Sequence, residues 1–156
     1  MADDSFWMAA ALQEAARAEA AGEVPVGAVV ICNEMLIGRG HNASLSLNDP
    51  TAHAEIQALR EAARHVRNYR LVSATLYVTV EPCLMCMGAL LHARIKRLVF
   101  GCYDPKAGAA GSLYDVARDR RLNHQLEVTA GVGEEESRAL LQRFFRRKRR
   151  QVSNEE

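Results

Sequence analysis

The sequence predicts an α/β protein, because segments with the composition of strands and helices alternate along most of its 156 residues. A helix and a hairpin-like pair of apolar segments open the chain, and strands and helices then take turns. Alternation of this kind favours a sheet with parallel members, covered by helices on both faces. The chemistry-bearing motifs fall where a strand or loop passes into a helix, which is where such sheets bind ligands.

The composition excludes several classes of protein. Hydrophobic residues make up 49% of the chain and charged residues 25%, which is typical of a globular protein rather than a disordered or collagen-like one. No repeat or linker divides the chain, so we expect a single domain over residues 1–156. No apolar run reaches the ~18 residues of a membrane helix, and the acidic N-terminus is unlike a signal peptide. We therefore expect a cytoplasmic protein with reduced cysteines and no membrane partner.

Two helices and a hairpin are predicted in the first half of the chain. Residues that cap or begin helices bound the helices, and the strands are apolar, β-branched runs on either side of a turn. In chain order these elements are a helix over Phe6–Ala21 capped by Ser5, strands over Val24–Cys32 and Met35–Gly40, and, after a polar loop, a helix from Pro50 to Asn68.

Three further strands and three helices are predicted in the second half. The last helix has acidic residues at its start and basic residues at its end, as the helix dipole prefers. In chain order the elements are a strand over Thr75–Val80, a helix over Cys83–Ala93, a strand over Ile95–Gly101, a short helix near Ser112–Ala117, a strand over Leu126–Ala130 and a helix over about Glu134–Arg150.

Positive charge is concentrated at the end of the last predicted helix. Six basic residues lie between Arg143 and Arg150, so the rest of a chain with net charge +1 carries −5. A basic end of this kind is typical of proteins that bind phosphate-bearing partners such as nucleic acids. It is also found on solvated helix ends, where it complements the dipole, so charge alone leaves both interpretations open.

Two short motifs combine residues that bind metals. His53-Ala54-Glu55 lies at the start of the second long helix, and Cys83 and Cys86 lie in the first turn of the next one. Cysteines three apart share one face of a helix, and helix N-termini favour thiolates. Zinc takes both thiolate and imidazole ligands, so we expect His53, Cys83 and Cys86 to hold one zinc ion.

Three protein ligands leave one tetrahedral position for water, which is typical of catalytic rather than structural zinc. A fourth protein ligand would make the site structural. Cys102 is a candidate that the sequence leaves open, whereas Cys32 lies in an apolar strand and is interpreted as part of the core. The remaining motif-free histidines, His65, His92 and His124, are expected to have surface or packing roles.

Glu55 is not expected to bind the metal, because residues two apart on a helix do not face the same way. We expect it to carry protons between water and substrate. Two alternatives to a catalytic zinc site remain: a thiol redox protein with a Cys83–Cys86 disulfide, and a non-catalytic RNA-binding module stabilised by zinc.

The two motifs together form the pattern H-x-E…P-C-x-x-C, which marks zinc-dependent deaminases of bases. The chain resembles the bacterial tRNA-specific adenosine deaminases of the cytidine/deoxycytidylate deaminase superfamily. The most specific stretches of this resemblance are Glu23–Ala28, Asp49–Glu55, Thr75–Cys83 and Gly108–Leu113. It implies a three-layer α/β/α sandwich with a mixed central five-stranded sheet, one zinc ion per subunit, a homodimer, and conversion of adenosine to inosine at the wobble position of a tRNA anticodon. A deaminase of free bases or nucleosides, which would use the same zinc site, is the leading alternative to this activity.

The resemblance also implies roles for individual residues. It implies His53, Cys83 and Cys86 as zinc ligands and Glu55 as the proton carrier. Six further residues are implied to contact the anticodon loop: Asn42 on the target base, Asp104 and Lys106 on the RNA backbone, and Phe145, Arg146 and Arg147 on the C-terminal helix.

Overall fold

A mixed five-stranded sheet forms the centre of the computed structural model, which describes residues 2–155. The strands are β1 Gly27–Cys32, β2 Met35–His41, β3 Thr75–Val80, β4 Arg97–Cys102 and β5 Glu127–Thr129, in the order β2-β1-β3-β4-β5. β1 pairs antiparallel with β2 and β3, while β3, β4 and β5 run parallel. The predicted mixed sheet is confirmed, and the carboxyl ends of β2, β3 and β4 share one edge.

Helices cover both faces of this sheet. They are α1 Asp4–Ala20, α2 Ser44–Leu47, α3 Ala54–Val66, α4 Leu84–His92 and α5 Glu134–Glu155. Alternate residues of β1 show the two faces: Ala28 and Val30 pack in the core under α3 and α4, whereas Val29 and Ile31 pack against α1. Burial on both sides explains why β1 is a continuous apolar run, and it confirms the three-layer architecture.

The helix α3 lies directly on β2 because two glycines of the strand face it. A Cβ atom at Gly38 would lie 2.3 Å from the carbonyl oxygen of Ala58, and one at Gly40 would lie 2.2 Å from that of Ala54. Ala54 and Ala58 are themselves completely buried. Backbone therefore meets backbone at this seam, which fixes the N-terminus of α3 relative to the sheet.

Two predicted helix starts are wrong. Asp3, not Ser5, caps α1, and its carboxylate accepts the N–H of Phe6 at 2.9 Å. The helix predicted from Pro50 begins at Ala54, because the Asp49 carboxylate accepts the N–H and hydroxyl of Thr51 and turns the chain there. The turn before α3 contains the short helix α2, in a segment predicted as loop.

The short helix predicted near Ser112–Ala117 is also wrong. The segment is a turn with a bridge between Ala110 and Asp115, and the N–H of Ser112 is bonded to the carboxylate of Glu81. Several boundaries differ as well: the strand predicted from Val24 begins at Gly27, the strand predicted from Ile95 begins at Arg97, and the last helix continues past Arg150 to residue 155. Within residues 2–155 no helix is both long and apolar enough to cross a bilayer.

Candidate active site and metal centre

The N-termini of α3 and α4 meet at the carboxyl edge of the sheet. His53 is the N-cap residue of α3 and Cys83 that of α4, and both have extended backbone conformations. Cys86 follows in the first turn of α4 and is fully buried, whereas His53 and Cys83 are half-buried. The two capping positions aim one imidazole and one sulfur at the same point, and the helical spacing adds the second sulfur.

The three side chains stand at the separations that a zinc ion requires. Nδ1 of His53 lies 3.6 Å from Sγ of Cys83 and 3.5 Å from Sγ of Cys86, and the three donor atoms lie within 4.8 Å of one another. Zn–S bonds of about 2.3 Å and Zn–N bonds of about 2.0 Å meeting at a tetrahedral angle place nitrogen and sulfur about 3.5 Å apart. The donor set therefore fits zinc in both chemistry and spacing.

The pKa shifts of His53, Cys83 and Cys86 are also compatible with binding of a cation. Hydrogen bonds from Cys86 and His53 lower the pKa of Cys83 to about 4, so this sulfur is a thiolate at neutral pH. The hydrogen bond to Cys83, together with burial, raises the pKa of Cys86, and a hydrogen bond to Cys83 raises the pKa of His53. Protons shared among three ligands are those that a bound metal ion displaces.

Glu55 lies in the first turn of α3 and is 4% exposed. It stands outside the group of donor atoms formed by His53, Cys83 and Cys86, although its carboxyl group faces Cys86. Burial raises the pKa of Glu55 to about 7. A carboxyl group with such a pKa can both take up and release a proton near neutral pH.

Asn42 joins β2 to the start of α3. Its side-chain oxygen accepts the N–H of Ala54 at 2.8 Å, which satisfies one of the unpaired donors at the helix N-terminus. The amide NH₂ group of Asn42 takes no part in this bond and can donate to a ligand.

A groove of about 1410 Å³ lies between α5 and the loop that follows β4. Four of the predicted RNA-contacting residues line it, namely Asp104, Lys106, Phe145 and Arg146. Arg147 is exposed on α5 but is not among the lining residues, and neither is Asn42. The groove also lacks the three metal-binding side chains, so the structure has a metal centre and a separate basic groove at one edge of the sheet.

Asp104 and Phe145, two of the residues that line the groove, are held in different ways. The carboxylate of Asp104 accepts the N–H groups of Lys106 and Ala107, which makes it part of the loop's own turn. Phe145 is 46% exposed and packs edge-on against Phe144, whose ring is buried. Phe145 therefore presents an aromatic surface to the groove.

Sequence reasoning missed two buried carboxylates that hold the segments flanking the site. Glu81 accepts the N–H groups of Asp104, Ala110 and Ser112 at 2.9–3.0 Å, and also the hydroxyl of Ser112. Glu23 accepts the N–H groups of Leu45 and Ser46 at the start of α2. The only sequence signal was an acidic residue beside proline-containing motifs, which does not reveal partners more than twenty residues away.

The remaining cysteines and histidines lie away from the metal centre. Cys102 is buried in β4, its pKa is raised by burial, and its N–H is bonded to Ser137. Cys32 packs at the edge of the core as predicted. Nε2 of His124 lies 2.7 Å from the carbonyl oxygen of Ile95, while His65 and His92 are exposed on helices.

A mixed sheet between helix layers, with one imidazole and two sulfurs gathered at two helix N-termini, defines a zinc protein of the base-deaminase class. The profile of the cytidine and deoxycytidylate deaminase zinc-binding region matches residues 1–102. The chain belongs to the cytidine and deoxycytidylate deaminase family. Zinc is accordingly the cofactor that the His/Cys/Cys group is positioned to bind.

Individual relatives narrow the comparison. The tRNA-specific adenosine deaminase of Haemophilus influenzae is 54% identical over 147 residues, which cover 94% of this chain and 85% of the relative. A solved structure from a study of A-to-I editing by tRNA:A34 deaminases has a TM-score of 0.85 and 42% identity, covering 88% of this chain and 99% of that one. The guanine deaminase of Bacillus subtilis is more distant, with a TM-score of 0.64, 34% identity and 71% of each chain covered.

Proposed function

We propose that this protein hydrolyses the C6 amino group of adenosine at the wobble position of a tRNA anticodon, giving inosine and ammonia. The proposal rests on the geometry of the metal centre. His53, Cys83 and Cys86 stand at zinc-binding distances, and the buried carboxyl group of Glu55 lies beside them. Relatives that align over nearly the whole chain and are named tRNA-specific adenosine deaminases support the choice of substrate.

Zinc, held by His53, Cys83 and Cys86, supplies when bound a Lewis acid that activates water for attack on C6 of adenine. A zinc ion held by these three residues alone would have room for a water molecule, which supports a catalytic rather than a structural role. Cys102, the alternative fourth ligand, belongs to another cluster of contacts around Ser137.

Glu55 is the proposed proton carrier of the reaction. Its carboxylate takes a proton from the attacking water and delivers it to ring N1 of adenine. It then passes a second proton from the added hydroxyl to the departing amine, so that ammonia leaves and the C6 carbonyl of inosine forms. A carboxyl group whose pKa lies near neutrality is suited to both transfers.

Asn42 is the proposed base-recognition residue. The bond from Ala54 orients the side-chain amide, and its NH₂ group is the donor that can bind an acceptor atom of the adenine ring. The same hydrogen bond ties base recognition to the helix that carries His53 and Glu55.

The basic groove is the proposed path of the RNA. Lys106 and Arg146 supply charge for phosphates, and the exposed ring of Phe145 supplies a surface on which a base can stack. Asp104 and Arg147 are proposed to contact the RNA from the loop and from the outer face of α5. Bases of an anticodon loop are already unpaired, so turning one toward the metal costs little.

Activity on four substrates tests this proposal. Release of ammonia is compared for an anticodon stem-loop RNA, free adenosine, guanine and cytosine, using protein whose zinc content has been measured. We expect deamination of the stem-loop alone. Preference for guanine would instead support a small-molecule deaminase, the class to which the Bacillus subtilis neighbour belongs. Zinc-free protein with a Cys83–Cys86 disulfide would support a redox role, and zinc-loaded but inactive protein an RNA-binding module.

The chain is further proposed to act as a single domain over residues 1–156, in the cytoplasm, as a homodimer with one zinc per subunit. Exposed apolar side chains beside the metal centre support pairing: Leu84 is 50% exposed and Met85 37%. Leu113 and Tyr114 are also exposed, in a turn that the bridge between Cys83 and Gly108 places next to α4.

A further inference from the structure

We propose that Glu81 is a positioning residue that fixes the RNA-contacting loop against the metal-binding segment, a proposal that rests on the function proposed above. The loop over residues 103–112 carries Asp104 and Lys106 of the groove. Glu81 sits at the carboxyl end of β3, two residues before the ligand Cys83. It is 3% exposed, so its carboxylate is shielded from water.

Every oxygen of this carboxylate is used by the loop. Oε1 accepts the N–H of Asp104 at 3.0 Å and the hydroxyl of Ser112. Oε2 accepts the N–H groups of Ala110 at 2.9 Å and Ser112 at 3.0 Å. Hydrogen bonds to a charged acceptor are the stronger kind, and these four bind both ends of the loop to one residue.

The loop is shaped to receive the carboxylate. A Cβ atom at Gly108 would lie 2.2 Å from the carboxyl carbon of Glu81, so any larger residue at this position collides with it. Gly108 also pairs with Cys83, and the N–H of Ala109 donates to the carbonyl of Pro82 at 2.8 Å. Together with these two backbone contacts, the side chain of Glu81 joins the loop that carries Asp104 and Lys106 to the segment that holds Cys83.

The chemistry of the four contacts makes a glutamine an informative substitution. In Glu81→Gln one oxygen becomes an NH₂ group, and either orientation of the amide faces at least one backbone N–H with another donor. The loop should then loosen while Cys83 and Cys86 keep their places on α4. Gly108→Ala disturbs the same contact from the loop side, without changing the charge.

The test measures amide hydrogen exchange, zinc content and steady-state kinetics on an anticodon stem-loop RNA. For Glu81→Gln and Gly108→Ala we expect faster exchange over residues 104–112, one zinc per chain, and KM raised at least about tenfold, the effect of one charge-assisted hydrogen bond, with kcat within about twofold. Glu23→Gln is the matched control, because it is equally buried but bonds to α2; it should speed exchange at residues 45–46 and leave 104–112 unchanged.

Two results would overturn the proposal: unchanged exchange over 104–112 in both variants, or a loss confined to kcat with KM unaltered. If Glu81→Gln does not fold, Gly108→Ala alone decides between these outcomes. An inactive wild-type protein would contradict the proposed function instead. The exchange measurement would still show whether Glu81 holds the loop over residues 104–112.

Discussion

The metal centre and the basic groove lie at the same edge of the sheet, yet they are built in opposite ways. The metal centre consists of short side chains at helix N-termini, and its members are buried or half-buried. The groove is lined by long side chains of α5 and by a loop, and most of them are exposed. Backbone geometry therefore places the metal-binding side chains, whereas the RNA recognition proposed for the groove would depend on long charged side chains. We expect substitutions in the metal centre to abolish zinc binding or activity, and substitutions in the groove to weaken RNA binding by degrees.

The sharpest test of this contrast removes a sulfur. We expect Cys86→Ala to lose zinc and to reduce inosine formation by at least about 10³-fold, because Lewis-acid activation supplies several kcal/mol. Metal analysis and product assay check this. Cys32→Ala is the control, since Cys32 lies outside the metal group, and it should keep its zinc. A Cys86→Ala protein with full zinc occupancy would contradict the ligand assignment.

A second test separates ligation from proton transfer within the metal centre. Glu55→Ala should retain one zinc per chain but lose about 10²–10⁴-fold in kcat, the range for removing a general acid–base. Glu61→Ala, on the exposed side of the same helix, should change neither. Loss of zinc from the Glu55 variant would show that this carboxylate is a ligand.

The groove should respond in steps. Arg146→Ala combined with Arg147→Ala should raise KM for RNA and flatten the dependence of log K on log salt by up to about 1.4, with kcat nearly unchanged. Arg146 lines the groove and Arg147 does not, so the single Arg146 variant should account for most of the effect. Arg64→Ala, in the last turn of α3, combined with Arg70→Ala, in the segment that follows this helix, is the control. An unaltered salt slope would remove these arginines from the RNA path.

The smallest effect is expected away from both regions. Asp4 binds the guanidinium of Arg97 and the hydroxyl of Tyr77, and the hydrogen bond to Arg97 holds the pKa of Asp4 below its ordinary value of 3.8. A lowered pKa stabilises the folded protein above about pH 4, and this contribution is lost as pH falls below that value.

Asp4→Asn should therefore cost about 1 kcal/mol of unfolding free energy at pH 7, since the pair is partly exposed, and less at pH 3. Urea unfolding of both proteins at the two pH values measures the difference. Zinc content and KM at pH 7 should not change. An equal loss at both pH values would mean that the Asp4 charge contributes nothing.

Sequence patterns predicted the metal centre better than its surroundings for a physical reason. His53, Cys83 and Cys86 depend on local features, namely helix starts and a three-residue spacing, which are visible in short stretches of sequence. The contacts of Glu81 and Glu23 join a side chain to backbone N–H groups of distant segments. A backbone N–H group does not depend on the type of residue, so the sequence does not mark these partners. The loop anchored by Glu81 could not be predicted for that reason, and the segment after Gly111 forms a turn although its local sequence predicts a helix.

Capping errors have a similar origin. Ser5 and Asp3 are both suitable N-cap residues, and only the fold shows that the carboxylate of Asp3 reaches the N–H of Phe6. Pro50 is a suitable first helical residue, but Asn42 supplies the acceptor for α3 from another strand end, which places the start at Ala54. Competition between equally good local signals is resolved by tertiary contacts.

The seam between β2 and α3 limits how proteins of this design can diverge. Gly38 and Gly40 lie against carbonyl groups of α3, so no side chain at this contact can rearrange to make room for an added group. A methyl group at Gly38 or Gly40 would push α3 away from β2. The imidazole of His53, at the start of α3, would then move away from the sulfurs of Cys83 and Cys86. In the proposed function, new RNA preferences would arise by exchanging residues of the loop and of α5, because the two glycines of β2 leave no room for a side chain.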